Sequence, residues 1–171
     1  MTTTIRQAGP DDAATLAQIG AEAFTTAYAA DLPAGPLAAF AAETFAEARV
    51  AADLAEQPGC YLLLEVDGEA AGFAQLRDGP PPRGVSGPRP VELSRIYLLE
   101  KWTGRGLGTA LMQASVDEAR RRGYATLWLG VWERNSRAIA FYHKWGFVDA
   151  GDVAFRFGGE IQRDLIMVRA L

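Results

Sequence analysis

Three glycines at alternate positions, Gly104, Gly106 and Gly108, stand between a β-rich run, Val91 to Leu99, and a helical pattern that ends near Arg122. Few folds accommodate that order. A strand must end, turn tightly on residues without a Cβ, and feed directly into a helix. The first N–H groups of that helix have no intrahelical partner, and its positive dipole end points back at the turn. Strand, glycine turn and helix start together form a cradle suited to a diphosphate. Arg105 adds a positive charge, and Thr109 adds a hydroxyl in the first helical turn. The alternative is a bare glycine-rich turn with no ligand.

The type of phosphate site is narrowed by what is missing. No Lys-Ser or Lys-Thr follows the glycines, which excludes the nucleoside-triphosphate loop. The dinucleotide fingerprint also fails, because Leu111 stands where its third glycine belongs.

The rest of the chain supplies the sheet and helices around that turn. Thr3 to Ala8 reads as a short strand. Gly9-Pro10-Asp11-Asp12 reads as an Asp-capped helix start, running towards Ala30 with Leu16, Ile19, Ala23 and Ala27 at helical spacing. A second, alanine-rich helix is expected over Pro36 to Glu56. Cys60 to Val66 and Ala70 to Arg77 flank Asp67-Gly68, a hairpin turn signal. The Pro/Gly segment Asp78 to Pro90 cannot form ladder pairs and is expected to be a mobile, exposed hairpin loop.

After the glycine turn, the helix closes on Arg120-Arg121-Arg122-Gly123, which is ordinary helix-end chemistry. Thr126 to Val131 is a strand and Ser136 to Trp145 a helix closed by Gly146. Phe147 to Phe157 and Ile161 to Leu171 form a final hairpin through Gly158-Gly159. The order β-α-α-β-β-β-α-β-α-β-β predicts an α/β (α+β) fold, with a mixed, mostly antiparallel sheet of six to seven strands and helices on its faces.

Bulk properties bound the function. A chain of 171 residues suits one domain, residues 1–171. A net charge of −4 speaks against a nucleic-acid binder and is compatible with a cationic partner. No apolar run reaches membrane-spanning length, and Met1 to Arg6 lacks the form of a secretion signal. Cys60 is the single cysteine, so no internal disulfide forms and a cytoplasmic location is expected; with a single His, it argues against a zinc site. The expectations are therefore no metal, no membrane and no nucleic acid.

The segment Asn135 to Phe147 carries the second set of candidate residues. Asn135 or Ser136 caps the helix, and Ala138, Phe141, Tyr142 and Trp145 share one face. Most of these need only pack on a sheet. Tyr142 brings a hydroxyl to that face, which suits either a structural hydrogen bond or chemistry.

Two patterns together resemble the GNAT superfamily of N-acetyltransferases. The glycine turn is similar to its motif A, R/Q-x-x-G-x-G/A, through Gly106 and Gly108, with Thr103 replacing the first Arg or Gln. The later segment resembles motif B, N-x-x-A-x-x-F-Y-x-x-x-G-F, through Asn135, Ala138, Phe141, Tyr142, Gly146 and Phe147. The resemblance covers Val91 to the C-terminus by motif and the first half by topology. The tail residues Phe155, Gly158, Gln162, Asp164 and Met167 resemble a bacterial branch that includes spermidine/spermine acetyltransferases.

The resemblance implies a GNAT-like fold and acetyl-coenzyme A as co-substrate. Thr103, Gly104, Arg105, Gly106, Gly108 and Thr109 would hold its pyrophosphate, and the main chain of Ile96 and Leu98 its pantetheine arm. Asn135 would bond that arm or organise the helix start. Tyr142 would protonate the departing thiolate. Glu92, four residues before Ile96, would remove the amine's proton or orient a water that does so; a surface or salt-bridged Glu is the bland alternative. His143 should point off the buried face. The Phe24 to Leu32 region, with Tyr28 and Asp31, would line the acceptor side in that branch.

The expected activity is direct acetyl transfer to a primary amine of a small molecule, such as a polyamine, amino acid or drug. A protein N-terminus or lysine as acceptor, and a non-catalytic acyl-coenzyme A-binding module, remain open. Oligomeric state is open too, a homodimer included.

Overall fold

The computed structural model describes residues 1–171. Its elements in order are β1 (Thr3–Gln7), α1 (Ala13–Tyr28), α2 (Ala34–Thr44), α3 (Glu47–Glu56), β2 (Tyr61–Val66), β3 (Glu69–Arg77), β4 (Pro90–Leu98), α4 (Leu107–Arg121), β5 (Thr126–Trp132), α5 (Ser136–Lys144), β6 (Val148–Phe157) and β7 (Glu160–Ala170), with single 3-10 turns at Pro10–Asp12 and Glu100–Trp102. The strands form a seven-stranded sheet in the order β1-β2-β3-β4-β5-β7-β6. Pairing is antiparallel at β1/β2, β2/β3, β5/β7 and β6/β7, and parallel at β4/β5. The chain's contacts group it into two compact units, Met1–Gln75 with Arg95–Ser115, and Leu76–Ser94 with Val116–Leu171.

In the first unit, Asp67 (φ 51°) and Gly68 (φ 82°) both take left-handed backbone, the conformation that matches a two-residue turn to strand twist. The hairpin presents Tyr61, Leu63 and Phe73 to Leu16 and Ile19 of α1 and to Val50 and Leu54 of α3. Burial of each of these larger side chains is worth about 1.5–3 kcal/mol. On β4, Tyr97 joins that cluster, while Leu98, on the opposite face, packs 3.7 Å from a Cβ built on Gly108 at the start of α4. Helices therefore cover both sides of this strand.

The helix expected over Pro36 to Glu56 is two helices. It breaks at Phe45, whose backbone (φ −106°, ψ 25°) leaves the helical region. The break buries the Phe45 ring against Gly20 of α1, with Phe24 and Tyr97 at 5.8 Å between ring centroids. Alanine-rich sequence has high helix propensity, but aromatic burial outweighs it here. At the start of α1, Asp12 does not cap the helix forward. Its carboxylate accepts the Gly9 N–H at 2.8 Å and pairs with Arg6, which holds it below the usual carboxylate range.

In the second unit, β5, β7 and β6 bury Leu127, Leu129, Met167 and Phe157. Gly158 (φ 57°) and Gly159 (φ 85°) make the expected turn between β6 and β7. The Asp78 to Pro90 segment is exposed along much of its length but is anchored. The Thr126 hydroxyl donates to the Pro88 carbonyl at 2.8 Å, and a Cβ on Gly87 would stand 2.1 Å from that same hydroxyl oxygen. A Cβ on Gly84 would stand 2.1 Å from the Ala150 carbonyl oxygen. Pro/Gly composition forbids ladder pairing, but close backbone approach then becomes cheap. Arg121 and Arg122 pair with Glu118 at 2.7 and 2.6 Å, which fits the helix-end reading of the three arginines.

Candidate active site

The glycine turn is built as its composition predicts. β4 ends at Leu98, Leu99 leads into the 3-10 turn Glu100–Trp102, and the Thr103 hydroxyl donates to the Glu100 carbonyl at 2.8 Å. Thr103 thus closes the turn with the side chain that replaces the motif's Arg or Gln. Gly104 (φ 74°) and Gly106 (φ 78°) occupy left-handed backbone, which a β-carbon strains. A Cβ at either position would meet nothing within 4 Å, so the bend opens outward and is not packed shut. The first intrahelical bond of α4 runs from Ala110 N–H to Gly106 C=O at 3.1 Å. The N–H groups of Leu107, Gly108 and Thr109 precede it and emerge beside the turn.

Thr103, Gly104, Arg105, Gly106 and Thr109 are exposed, while Leu107 and Leu111 anchor the helix in the interior. The Arg105 guanidinium lies 5.2 Å from the centre of the Trp102 ring, which keeps its charge beside the bend. Ile96 and Leu98 are half-buried on β4. The first unit therefore gathers the loop residues and Leu98 around one helix start. Open N–H groups, the dipole and a fixed cation fit a diphosphate by the chemistry of anion binding at helix N-termini.

The second unit holds Glu92, Asn135 and Tyr142. Asn135 is the helix cap: its Oδ1 accepts the Ala138 N–H at 3.2 Å. Tyr142 is half-buried on α5, with its ring edge-on to Phe147 at 5.8 Å and to Phe141 at 5.7 Å. Aromatic contact on two sides fixes where the ring lies. His143 is exposed and its Nε2 sits 3.2 Å from Asp149 Oδ1, as expected for a residue off the packed face. In the first unit, Tyr28 packs on Phe24 at 4.9 Å and Asp31 is exposed.

Strand register shows which residues share a face in the second unit. Glu92 is level with Trp128, Trp128 with Val168, Gly130 with Ile166, and Trp132 with Asp164. Alternation then puts Glu92, Trp128, Gly130, Trp132, Gln162 and Asp164 on one face. Leu127, Leu129, Met167 and Arg169 take the other, where the Arg169 guanidinium lies 5.7 Å from the ring of Trp145, just past the end of α5. The parallel β4/β5 ladder covers Pro90, Val91 and Glu92 only, whereas β5 continues to Trp132 on β7.

On the Glu92 face, the Trp132 indole donates to Gln162 Oε1 at 3.0 Å. The Trp128 indole N–H is buried with no protein partner, an arrangement that costs about 1–3 kcal/mol unless water or a ligand accepts from it. Asp164 is half-buried, and burial alone pushes its carboxyl up to about 6.

Two features escape a reading of the sequence by motif. Asp164 appears there as a motif member without a role; the signal available was a lone acid in the apolar run Asp164-Leu165-Ile166-Met167. The other feature is a polar set inside the first unit. Asp53 Oδ2 accepts the Tyr61 hydroxyl at 2.9 Å and the Gln75 amide at 3.1 Å, and Arg95 donates to Gln75 Oε1 at 2.5 Å. Burial and the nearby Asp53 hold the Tyr61 phenol above the usual tyrosine range. Gln75 in the otherwise apolar run of β3 was its sequence signal. A cavity of about 540 Å³ lined by Asp78, Arg89, Arg122 and Tyr124 contains none of the expected site residues. No group of three His, Cys, Asp or Glu side chains is placed to hold a metal ion. No helix is long and apolar enough to cross a membrane.

Comparison with known proteins adds sequence and fold relationships. The model of the acetyltransferase (GNAT) family matches residues 21–147. An uncharacterized N-acetyltransferase of Mycobacterium bovis (strain ATCC BAA-935 / AF2122/97) is 35% identical over 160 residues, covering 94% of this chain and 98% of that protein. The [ribosomal protein bS18]-alanine N-acetyltransferase of Escherichia coli (strain K12) is 50% identical over 46 residues, 27% of this chain and 31% of that protein. Among solved structures, the PaiA N-acetyltransferase of Thermoplasma acidophilum in complex with coenzyme A superimposes with a TM-score of 0.83 at 21% identity, covering 100% of both chains.

Proposed function

The chain belongs to the acetyltransferase (GNAT) family and is an acetyl-coenzyme A-dependent N-acetyltransferase, and from that premise we propose that its acceptor is the primary amine of a small cationic molecule such as a polyamine. The whole chain acts as a single N-acetyltransferase domain, in the cytoplasm, where a lone buried thiol stays reduced. The observation that carries the acceptor half of the reading is the pair of carboxylates, Glu92 and Asp164, sharing one sheet face in a chain of net charge −4. Carboxylates on one face attract a cationic amine and hold it by charge-assisted hydrogen bonds. The resemblance of Gln162 and Asp164 to the spermidine/spermine branch points the same way.

Coenzyme binding falls to the open bend. The N–H groups of Gly104 to Thr109 and the Arg105 guanidinium hold the pyrophosphate, and the main chain of Ile96 and Leu98 holds the pantetheine arm. The Asn135 cap fixes the start of α5 and so the position of Tyr142. Acetyl-coenzyme A, when bound, supplies an activated acyl group as a thioester. Tyr142 gives a proton to the leaving sulfur. Glu92, or a water it orients, helps to remove the proton that an ammonium must lose before its lone pair can react. Holding amine and thioester together supplies much of the rate.

A second reading, transfer to the N-terminal amine of a protein, is favoured by the local match to the bS18-alanine enzyme. Thiol release from acetyl-coenzyme A decides between them, with spermidine, free amino acids and an alanine-starting hexapeptide as acceptors. The proposal expects the highest kcat/KM with the polyamine. A hexapeptide preferred over every small amine would replace it with the second reading.

A further inference from the structure

The Glu92 face of the second unit carries a carboxylate that no part of the fold uses. Asp164 lies on β7 between Trp132 of β5 and Val153 of β6. Its Oδ2 is 3.6 Å from the point where a side chain on Gly130 would begin, and Gly130 is exposed. The absent side chain leaves a gap over the carboxylate. No hydrogen bond or ion pair reaches the Asp164 carboxylate. A half-buried structural carboxylate is ordinarily paired, because desolvation without a partner costs stability. Retaining an unpaired one under a glycine is the arrangement of a group that meets a ligand.

On the same face β5 offers Gly130 and Trp132, β6 offers Val153 and Phe155, and β7 offers Gln162 and Ile166, none of them charged. Charged groups stand beside these: Glu160, whose Oε2 accepts from the Gln162 amide, and Arg134, whose guanidinium lies 5.1 Å from the centre of the Trp132 ring. Glu92 stands level with Val168, two positions along that face. Arg163, with its partners Asp152 and Glu133, alternates to the opposite face. Burial alone sets the carboxyl at about 6, near the range in which a proton acceptor works at neutral pH.

We propose that Asp164 is a catalytic residue that takes the proton of the acceptor ammonium, which reaches it through the gap over Gly130; this rests on the N-acetyl transfer reading above. Asp164 takes one proton from R–NH3+ and becomes a carboxylic acid, leaving the nitrogen lone pair to form the C–N bond to the thioester carbonyl carbon. As the C–S bond breaks, Tyr142 delivers its phenol proton to the sulfur, and the second proton shed by the nitrogen restores the phenol. Asp164 then returns its proton to water, so one proton is released per acetyl group transferred.

The test compares wild type, Asp164→Asn and Glu92→Gln in thiol-release assays with spermidine and with an alanine-starting hexapeptide, across pH 5 to 9. Coenzyme A binding is followed by calorimetry. The expected wild-type kcat/KM rises through a limb near pH 6, the value burial gives Asp164. Asp164→Asn should lose roughly 100-fold and the limb itself, with coenzyme A affinity retained, while Glu92→Gln lowers the rate but keeps the limb near pH 6, because the limb belongs to Asp164. An Asp164→Asn enzyme that keeps both rate and limb overturns the assignment alone. A wild type inactive with both acceptors overturns the small-amine and peptide readings and the assignment with them. Should Asp164→Asn fail to fold, carbon-detected carboxyl titration of wild type decides: a midpoint near 6 supports the proposal, and an ordinary value of about 4 overturns it.

Discussion

The Phe45 ring fills the space that a β-carbon on Gly20 would need: the added atom would stand 2.3 Å from Cδ1. The junction between α2 and α3 approaches α1 at that point because Gly20 has no side chain, and the break there places the Phe45 ring. Replacing a helix-interior glycine by alanine ordinarily gains about 0.5–1 kcal/mol. Here Gly20→Ala should instead lose roughly 1–3 kcal/mol through overpacking, since a buried ring cannot swing aside. Urea unfolding of the variant, with an unchanged m-value, measures it.

At the bend the same substitution type separates binding from stability. Gly106 is exposed and left-handed, with open space around it. Gly106→Val should cost only about 1–3 kcal/mol of backbone strain. It should nevertheless abolish coenzyme A binding by calorimetry, because the branched side chain would stand in the space proposed for the pyrophosphate. Intact binding would contradict the cradle.

Tyr142→Phe keeps both ring contacts, to Phe141 and Phe147, and removes only the hydroxyl. The turnover number should fall by about 100-fold or more while coenzyme affinity stays near that of wild type. A variant with wild-type turnover removes the acid role.

Asn135→Ala deletes the acceptor of the Ala138 N–H. Loss of a helix cap of this kind costs about 1 kcal/mol. A thermal melt reads that cost, and because α5 carries Tyr142, turnover should fall with it.

Asp164 also makes a prediction about stability, of a sign opposite to that of most carboxylates. Its folded value, about 6, lies above that of an unfolded aspartate. Between roughly pH 4 and 6 the folded chain binds more protons than the unfolded one, so stability falls as pH rises through that window. The penalty is fully present above it and absent below about pH 4. Asp164→Asn should therefore stabilise the protein at pH 7 by roughly 1–2 kcal/mol, after discounting for solvent screening, and by almost nothing at pH 3.5. Paired melts at the two pH values check both the sign and the window.

Local chemistry was legible in the sequence wherever neighbours along the chain decide the outcome. Asp67-Gly68, Gly158-Gly159, the Gly104 to Gly108 bend, the Asn135 cap and the alternating strands depend on backbone φ and on near contacts, and all are found where composition puts them. The family pattern followed from the same local signals. What required the tertiary structure depends on residues far apart in the chain. The break at Phe45 is set by Gly20, the anchoring of the Pro/Gly segment by Thr126 and Ala150, and the Asp53, Tyr61, Gln75 and Arg95 set by strand pairing. Asp164 belongs to the second group. Its type and its place in an apolar run were visible in the sequence, but its burial, its lack of a partner and the gap over Gly130 arise only when β7 is laid beside β5. Sequence fixes what a residue can do; the solvent and neighbours that the fold removes or supplies set its proton affinity.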